Sequence, residues 1–451
     1  MLSARKAAAA SRAVLDDRDV SDKITLSDLL SDECLGDWTV IERNITDALL
    51  SALSDTPVVL LHGARQSGKS TLVRWLAERK RKAAYFTMDD AGVLAAATAD
   101  PDAFIQATPG PVVIDEVQLV PDIFRAIKLE VDRRRSPGRF LLTGSANVLL
   151  LPKLSESLAG RMEILNLWPF SVGELRGVRE SFIDRLFDGR GVDAASFPRL
   201  SRKEIASRIV IGGYPEVTQR SDTDRRRAWF SSYITTILQR DVRAMADIEG
   251  LAVLPRMLSF LASQSGGLLN AAELSRDAGF SLPTTRRYLT LLQATHLYQP
   301  LYAWSGNVRK RLIKAPKVYL NDTGLLSHLL GMSAEQLTDP SSNLGRALEA
   351  FVCQELRKQI TWSRTRPSIF YYRTAAGREV DFVLERRGGG IVGIEVKAAV
   401  KLGGDDFKGL ADLAETVGKR FLAGVVLYQG TTIVPFGPNR WAIPLDAMFA
   451  E

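Results

Sequence analysis

A glycine-rich stretch that ends in a lysine and two hydroxyl residues is the part of the sequence best suited to chemistry on phosphates. From Gly63 to Ser70 it fits the pattern G-x-x-x-x-G-K-[ST] at every fixed position. Backbone N–H groups of such a loop point at phosphate oxygens, and the helix that follows adds its positive dipole end. We therefore predict an ATP site. Its nucleotide-binding residues are Gly63, Ala64, Arg65, Gln66, Ser67, Gly68, Lys69, Ser70 and Thr71.

Two side chains of this loop have separate predicted roles. Lys69 should reach the β- and γ-phosphates and act in catalysis, and the Ser70 hydroxyl should coordinate Mg²⁺. The apolar residues Val58 to Leu61 predict a buried strand before the loop, and the apolar-periodic stretch after Ser70 predicts a helix. Strand, glycine loop and helix are the structural context that the motif requires.

An acidic pair completes the predicted ATP site. An apolar run from Val112 to Ile114 ends in Asp115 and Glu116. Asp115 should contribute to the Mg²⁺ shell, and Glu116 should orient or deprotonate the attacking water. The alternative is a strand that ends in two solvated acids. The position of the pair, 46 residues after Lys69, favours the ATP site.

Two hydroxyl residues at the end of the next apolar run are candidates for contact with the γ-phosphate or the water. These are Thr143 and Ser145, in the string Leu-Leu-Thr-Gly-Ser. The alternative is a turn, since these residue types also favour turns. Arg161 is a further catalytic candidate, as an arginine finger that a neighbouring subunit would supply. By spacing alone, a surface arginine at a helix end fits Arg161 better.

The C-terminal part carries a second group of acids. Asp381 is followed by Glu395 and Lys397 on the next predicted strand, an arrangement that resembles the PD-(D/E)xK nuclease core. The two carboxylates would bind a second Mg²⁺, with Lys397 near the water and Glu349 on a preceding helix completing the metal shell. The surrounding α-β-β-β-α-β pattern favours this fold, but a fold does not guarantee cleavage.

A basic region in the middle of the chain suggests contact with nucleic acid. The net charge is +7, yet residues 198–317 alone hold 19 basic and 9 acidic side chains. Within it, three helices and a hairpin (Tyr298–Val318) predict a winged helix. The predicted DNA contacts are Thr284, Arg286, Arg287, Arg309, Lys310 and Arg311. The alternatives are a solvated helix face, and a winged helix that only packs ATPase subunits together.

The elements around these residues predict the fold class. Helices and strands alternate from Ser70 to Leu142, which is typical of an α/β doubly wound parallel sheet of the P-loop NTPase type. Residues 1–37 are weakly patterned and predict a mobile arm. The two cysteines favour a reducing cytoplasm. No apolar run predicts a membrane span or a signal peptide, so we expect no membrane partner.

Several motifs together resemble a known family. The strings are GARQSGKST, VVIDEVQ, LLTGSAN, SLAGRMEILNLWPFSVGEL, GGYPEV and VYLNDTGLLSHLLG. In this order they resemble bacterial and archaeal AAA-type ATPases with a C-terminal domain of formerly unknown function. The resemblance, from about Trp38 to the C-terminus, implies an AAA-like core (38–165), a helical lid (166–250), a winged helix (251–335) and a restriction-endonuclease-like domain (342–451). It also strengthens the finger role of Arg161.

Three functions are compatible with these features. The leading expectation is a Mg²⁺-dependent ATPase that forms a homo-oligomer, such as a hexameric ring, and that binds and remodels branched or duplex DNA. The second is an ATP-regulated endonuclease that cuts at Asp381, Glu395 and Lys397. The third is an assembly switch in signalling or in a toxin–antitoxin type system. In this family the C-terminal domain could also be a degenerate nucleic-acid-binding or assembly module.

Overall fold

The computed structural model describes residues 41–145, 158–189, 199–243, 251–339 and 344–451. The predicted arm, residues 1–37, lies outside this part of the chain. Residues 42–451 form one contact-dense unit, and the description below concerns that unit.

A five-stranded parallel sheet carries the phosphate loop. The strands lie in the order β2-β3-β4-β1-β5, so the strand before the loop is an interior strand, between β4 and β5, and it is fully buried. Their bounds are β1 Val58–His62, β2 Ala84–Thr87, β3 Val112–Asp115, β4 Phe140–Gly144 and β5 Met162–Asn166. Because all five are parallel, the loop after β1 and the acids at the end of β3 lie at the same edge of the sheet. The parallel strands, which alternate with helices along the chain, confirm the predicted α/β class.

Helices cover both faces of the sheet, and each face has its own apolar cluster. The helices are α1 Thr46–Asp55, α2 Lys69–Arg79, α3 Ala91–Ala99, α4 Pro101–Gln106 and α5 Ile123–Arg133. The sequence predicted neither α3 nor β5. Helix α3 has almost no amphipathic pattern, with only Ala97 buried, and β5 is a partly exposed edge strand. Both therefore lack the periodicity that identifies an element.

A helical region follows the sheet, as expected. It contains α6 Phe182–Asp188, α7 Arg202–Ile211, α8 Pro215–Thr218 and α9 Thr223–Thr236, and α9 continues as a π-helical turn, Ile237–Val242. The break at Gly212-Gly213 has a structural cause. The Gly213 N–H donates to Asp322, 2.7 Å away, and a Cβ at residue 212 would collide with the same carboxylate. Two of the family-like motifs, GGYPEV and VYLNDTGLL, are therefore in contact.

The next region, for which the sequence predicts a winged helix, contains three helices and a short hairpin that differs from the predicted wing; we call it the winged helix below, after the prediction. The helices are α10 Leu254–Ser263, α11 Ala271–Ala278 and α12 Leu282–Ala294, and strands β6 Tyr298–Leu301 and β7 Lys317–Leu320 pair antiparallel. Only these four-residue strands form the hairpin. A short helix, α13 Val308–Ile313, replaces part of the predicted hairpin. The buried Trp304 holds the connection before this helix against the C-terminal sheet, where its backbone N–H donates to the Tyr371 carbonyl.

The C-terminal region has the predicted α-β-β-β-α-β order in a mixed six-stranded sheet, β12-β13-β11-β10-β9-β8. Two small helices, α14 Thr323–Leu330 and α15 Ala334–Thr338, lead to α16 Leu344–Trp362 and later α17 Lys408–Val417. The strands are β8 Ser368–Arg373, β9 Glu379–Glu385, β10 Ile391–Lys397, β11 Phe421–Tyr428, β12 Val434–Pro435 and β13 Arg440–Pro444.

Helix α16 connects every part of the described unit. Of its 19 residues, 14 are buried, including several charged and amide side chains. Glu355 accepts from the Val172 N–H after the parallel sheet, and Gln359 donates to the Met448 carbonyl near the C-terminus. One apolar cluster accordingly runs through the helical region, the winged helix and the C-terminal sheet. No helix within the described ranges is long and apolar enough to cross a membrane.

Candidate active site

The phosphate loop has a backbone that only glycine permits at two positions. Gly63 has φ +156°, and a Cβ there would lie 2.2 Å from the Leu167 carbonyl oxygen. Gly68 has φ +94° and forms the N-cap of α2. The loop thus turns sharply and delivers its last N–H groups to the N-terminus of a helix, the arrangement that binds phosphates.

A buried arginine, Arg43, binds a backbone carbonyl of this loop. Its guanidinium donates to the Ser67 carbonyl at 2.9 Å, to the Trp168 carbonyl at 2.7 Å and to Glu174 at 3.0 Å. Both charged side chains are almost inaccessible, at 6% and 1%. A buried ion pair of this kind survives only when its remaining donors are also bonded. The carbonyl bonds satisfy that condition and fix the loop backbone.

Lys69 is enclosed by the loop that carries it. Its ammonium donates to the carbonyls of Gly63 and Ala64, each 3.0 Å away. Burial lowers the pKa of Lys69 to about 8, although the neighbouring charges of Glu116 and Asp115 act in the opposite direction. The lysine is therefore close to both acids, as the ATP-site hypothesis requires.

Asp115 is buried at the end of β3 and bonded on both oxygens. The Tyr85 hydroxyl donates to one oxygen at 2.8 Å, and Thr143 donates to the other. The Tyr85 bond was not foreseen, since only the pairing of β2 with β3 brings it there. The Asp115 carboxylate and the Ser70 hydroxyl, at the start of α2, offer oxygen ligands of the kind that Mg²⁺ prefers.

Glu116 is half-buried and oriented by three groups. Its backbone has φ +57°, an unusual value for a non-glycine residue, and its N–H donates to Thr143 at 3.0 Å. Its carboxylate accepts from Ser145 at 3.1 Å and from Gln118. Thr143 thus positions both acids, whereas Ser145 contacts the predicted water-activating carboxylate. The sequence singled out both hydroxyls but missed Gln118.

The helical region contacts the loop through a second ion pair. Arg65 lies 3.2 Å from Asp241, which stands in the π-helical turn, and the Tyr233 hydroxyl donates to the Arg65 carbonyl at 3.3 Å. The adjacent residues Arg240 and Asp241 suggest a surface or inter-subunit ion pair when the sequence is considered alone, but Asp241 pairs with Arg65 of the loop instead. The winged helix also approaches the start of the phosphate loop. The ring centroids of His296 and of His62, the residue before Gly63, are 5.3 Å apart.

Arg161 does not contact the site of its own chain. It stands just before β5, and β5 runs parallel to β1 with Met162 beside Val58. Arg161 therefore lies at the opposite end of the sheet from the loop after His62. Its guanidinium is paired with Asp132 at 2.6 Å and is one-third exposed. Any contribution to hydrolysis would have to be made to another subunit.

The predicted DNA contacts fall into two groups. Arg286 and Arg287 are exposed on the first turns of α12, where Thr284 is half-buried, and Arg309 is exposed on α13. Arg311 is not available for phosphates, because it forms an ion pair of 2.7 Å with Glu385 of the C-terminal sheet and lies over Phe370. The side chain of Lys310 lies outside the described residues.

The C-terminal acids do meet, but with an additional cation among them. Asp381 accepts from the Val396 N–H at 2.9 Å, and Lys397 donates to Glu395 at 2.9 Å. Glu349 faces the same cluster, where the ammonium of Lys317 lies 2.9 Å from its carboxylate. Burial raises the pKa of Asp381, and the neighbouring Glu395 and Glu349 charges raise it further.

The second metal site stays a prediction, and the conformation described here does not favour it. Within the part of the chain that is described, no three His, Cys, Asp or Glu side chains are arranged to hold a metal ion. The physical reason is Lys317, which the sequence placed in a wing and not in this cluster. Its three nearest carboxylates are already engaged with an ammonium group.

The loop, the acids and the parallel sheet define an AAA-type P-loop ATPase, and residues 55–176 match the family model described as "AAA domain". Residues 202–336 and 344–448 match two models described as domains of unknown function. The chain belongs to the family of an uncharacterized protein of Mycobacterium tuberculosis, Rv2008c. The two are 35% identical over 350 residues, which cover 77% of this chain and 72% of the mycobacterial protein.

More distant proteins are similar over shorter stretches. An uncharacterized protein of Haemophilus influenzae is 24% identical over 239 residues, covering 51% of this chain and 55% of that protein. Among solved structures, a Walker-type ATPase of Pyrococcus abyssi has 15% identity and a TM-score of 0.41, covering 64% of this chain and 96% of that chain. The Thermotoga maritima RuvB Holliday junction branch migration motor has 19% identity and a TM-score of 0.28, over 57% of this chain and 88% of that chain.

The low pKa of Lys69 predicts proton uptake when ATP binds. With a pKa of about 8, half of the lysines are neutral at that pH, and a bound phosphate would favour the ammonium form. Calorimetry in buffers of different ionisation enthalpy, with saturating Mg²⁺, should show uptake of about half a proton per ATP at about pH 8 and almost none at about pH 6. Lys80→Ala, at the exposed end of the same helix, should behave like the wild type. An uptake that does not change with pH would contradict this role of Lys69.

Proposed function

We propose that the protein hydrolyses ATP with Mg²⁺ and uses the cycle to remodel duplex or branched DNA bound at its winged helix. The observation that carries the ATP part is the position of Glu116, beside the phosphate loop and oriented by Thr143, Ser145 and Gln118. An acid held in this way is suited to position a water molecule and to accept its proton.

The residues of the site have distinct roles in this proposal. The loop amides and the α2 N-terminus bind the phosphates, and Lys69 leaves its loop carbonyls to reach the β- and γ-phosphates. Ser70 and Asp115 would hold Mg²⁺, which would neutralise charge on the phosphate oxygens. Tyr85 and Thr143 keep the Asp115 carboxylate in one orientation, so that little rearrangement is needed at the moment of reaction.

Arg65 would couple nucleotide binding at the loop to movement of the helical region. Arg65 belongs to the nucleotide-binding loop, and its partner Asp241 belongs to the helix that packs on the winged helix. A phosphate near the guanidinium competes with Asp241 for the same donors. ATP binding and hydrolysis would therefore change how this helix is held, a coupling of the kind that moves lids.

In the same proposal, subunits associate so that Arg161 of one chain reaches the ATP of the next. Its distance from its own site makes it unsuitable for any role there, and its ion pair with Asp132 is partly exposed and can be exchanged for a phosphate. A guanidinium supplied by a neighbour would stabilise the charge that develops on the transferred phosphoryl group.

Glu116→Gln is expected to bind ATP with little change but to lower turnover by about 10²–10⁴-fold, because the water loses its proton acceptor. Light scattering of this variant with ATP should show the assembled form. Arg161→Ala should also lower turnover, by about 10³-fold or more if the finger acts in trans.

Glu78→Gln, on the exposed face of α2, serves as the matched control. Full turnover by Glu116→Gln would exclude its catalytic role. Full turnover by Arg161→Ala, or a single-chain mass for the ATP-bound Glu116→Gln protein, would exclude the trans finger but leave the ATP site in place.

The DNA part rests on the exposed arginines of α12. Replacing Arg286 and Arg287 with alanine should weaken duplex binding and flatten its salt dependence, with a change in slope of about 0.9 for each phosphate that the variant no longer neutralises. Replacing Arg79 and Arg125, two exposed arginines on helices of the sheet domain, with alanine removes the same number of charges and is the matched control. If the wild type binds no DNA, the assembly switch, in which the winged helix packs protein, replaces DNA remodelling.

A Mg²⁺-dependent endonuclease is a second candidate, favoured by one observation. Asp381, Glu395, Lys397 and Glu349 come from two consecutive strands and from a helix that precedes them by about 20 residues, and they meet in one cluster. Water activation between two carboxylates and a lysine is within the chemistry of such a group. The ammonium group of Lys317 already lies among these carboxylates, and its effect on metal binding is considered below.

A further inference from the structure

Lys317, the first residue of β7, inserts its side chain into the C-terminal carboxylate cluster. Its ammonium lies 2.7 Å from Glu379, 2.9 Å from Glu349 and 3.5 Å from Asp381. The side chain is 4% exposed. This lysine belongs to the winged helix, whereas Glu379 and Asp381 lie on β9 and Glu349 lies on α16.

An isolated ammonium cannot be buried in this way at an acceptable free-energy cost. Burial alone would lower the pKa of Lys317, but the Glu349, Asp381 and Glu379 charges outweigh burial and raise it. The lysine is therefore charged. The carboxylates need a cation for the same reason, and Lys317 supplies it from a different region of the chain.

Several bonds fix this position. Val318 is bonded on both sides to the turn after α10: its N–H donates to Gly267 at 2.9 Å, and its carbonyl accepts from Gly266 at 2.8 Å. The Tyr319 hydroxyl donates to Glu349 at 2.6 Å. The strand that carries Lys317 is thus held both by the winged helix and by the cluster itself.

Carboxyl groups outnumber ammonium groups in this cluster. Four carboxylates, those of Glu349, Glu379, Asp381 and Glu395, face two ammonium groups, those of Lys317 and Lys397. Carboxylate oxygens are the ligands that Mg²⁺ and Mn²⁺ prefer. A divalent cation would need the carboxylate oxygens that lie around Lys317, so it cannot enter while the ammonium lies among them.

We propose that Lys317 is the resident cation of this cluster and that it excludes divalent metal ions for as long as β7 is docked. The inference concerns regulation of the site of the second candidate function and rests on that candidate for its relevance to cleavage. Metal binding by the C-terminal domain and docking of the winged-helix strand are then mutually exclusive. A nuclease centre in this chain would be inactive in the conformation described above.

The test is Mn²⁺ binding to the full-length, nucleotide-free protein, followed by electron paramagnetic resonance of the free ion. Lys317→Met keeps the length of the side chain but removes the charge. We expect this variant to bind one more Mn²⁺ per chain than the wild type, and we expect the gain to be lost in the double variant Lys317→Met/Asp381→Asn. Lys314→Met, an exposed lysine before the same strand, should bind Mn²⁺ like the wild type.

A second double variant guards against misfolding. Lys317→Met/Glu379→Gln removes one positive and one negative group, so the cluster keeps its net charge, and it should show the same gain of Mn²⁺. Thermal unfolding establishes that the variants are folded. The proposal is overturned if the wild type already binds a Mn²⁺ that Asp381→Asn removes. It is equally overturned if neither folded Lys317 variant gains one.

Plasmid nicking measured on the same samples separates this proposal from the nuclease candidate. If Lys317→Met gains Mn²⁺ but does not nick DNA, the exclusion of metal stands and the nuclease fails. If the wild type nicks DNA with Mn²⁺ and Asp381→Asn abolishes the nicking, the nuclease stands and the exclusion of metal fails.

Discussion

Buried charged side chains with bonded partners connect distant parts of this chain. Arg43 is satisfied by Glu174, Lys358 by Glu355 and the Phe170 carbonyl, and Lys317 by carboxylates of the C-terminal region. In the first and third pairs the partners come from different elements, and α16 reaches back to the segment after the parallel sheet. An unpaired charge in any of these positions would cost several kcal/mol. The ATPase sheet, the winged helix and the C-terminal sheet are therefore bound together by polar contacts as well as by a shared apolar core.

This constraint gives the ATP site two routes to the rest of the molecule. In the first route, Arg43 donates hydrogen bonds to both the Ser67 carbonyl and Glu174, and so fixes the backbone that must bind the phosphates. In the second route, Arg65 of the loop forms an ion pair with Asp241, and the ring of His62 contacts the ring of His296 in the winged helix. The first contact is buried and should persist through the cycle. The second is half-buried and faces the place where the phosphate charge changes, so it is the one that hydrolysis can alter.

Much of the fold and of the ATP site could be predicted because the determining signals are local. The loop motif is contained in one short stretch of sequence. The same is true of the acids that follow an apolar strand, and of the hydroxyls of Thr143 and Ser145. Tyr85 and Gln118 could not be predicted to join them, since strand register and the backbone of Glu116 bring them there. Arg311 and Lys317 were expected at a wing. Their partners lie in the C-terminal region, more than thirty residues away, and no local pattern records such a contact.

Hydrogen exchange of the Glu116→Gln protein, with and without ATP and Mg²⁺, tests the central claim that nucleotide binding is transmitted from the loop to the helical region. The claim predicts slower exchange at Gly63–Ser70 together with a changed rate over Thr223–Val242, and it predicts that Asp241→Asn confines the change to the loop. A change that is confined to the loop in the parent protein as well would contradict the transmission through Arg65 and Asp241.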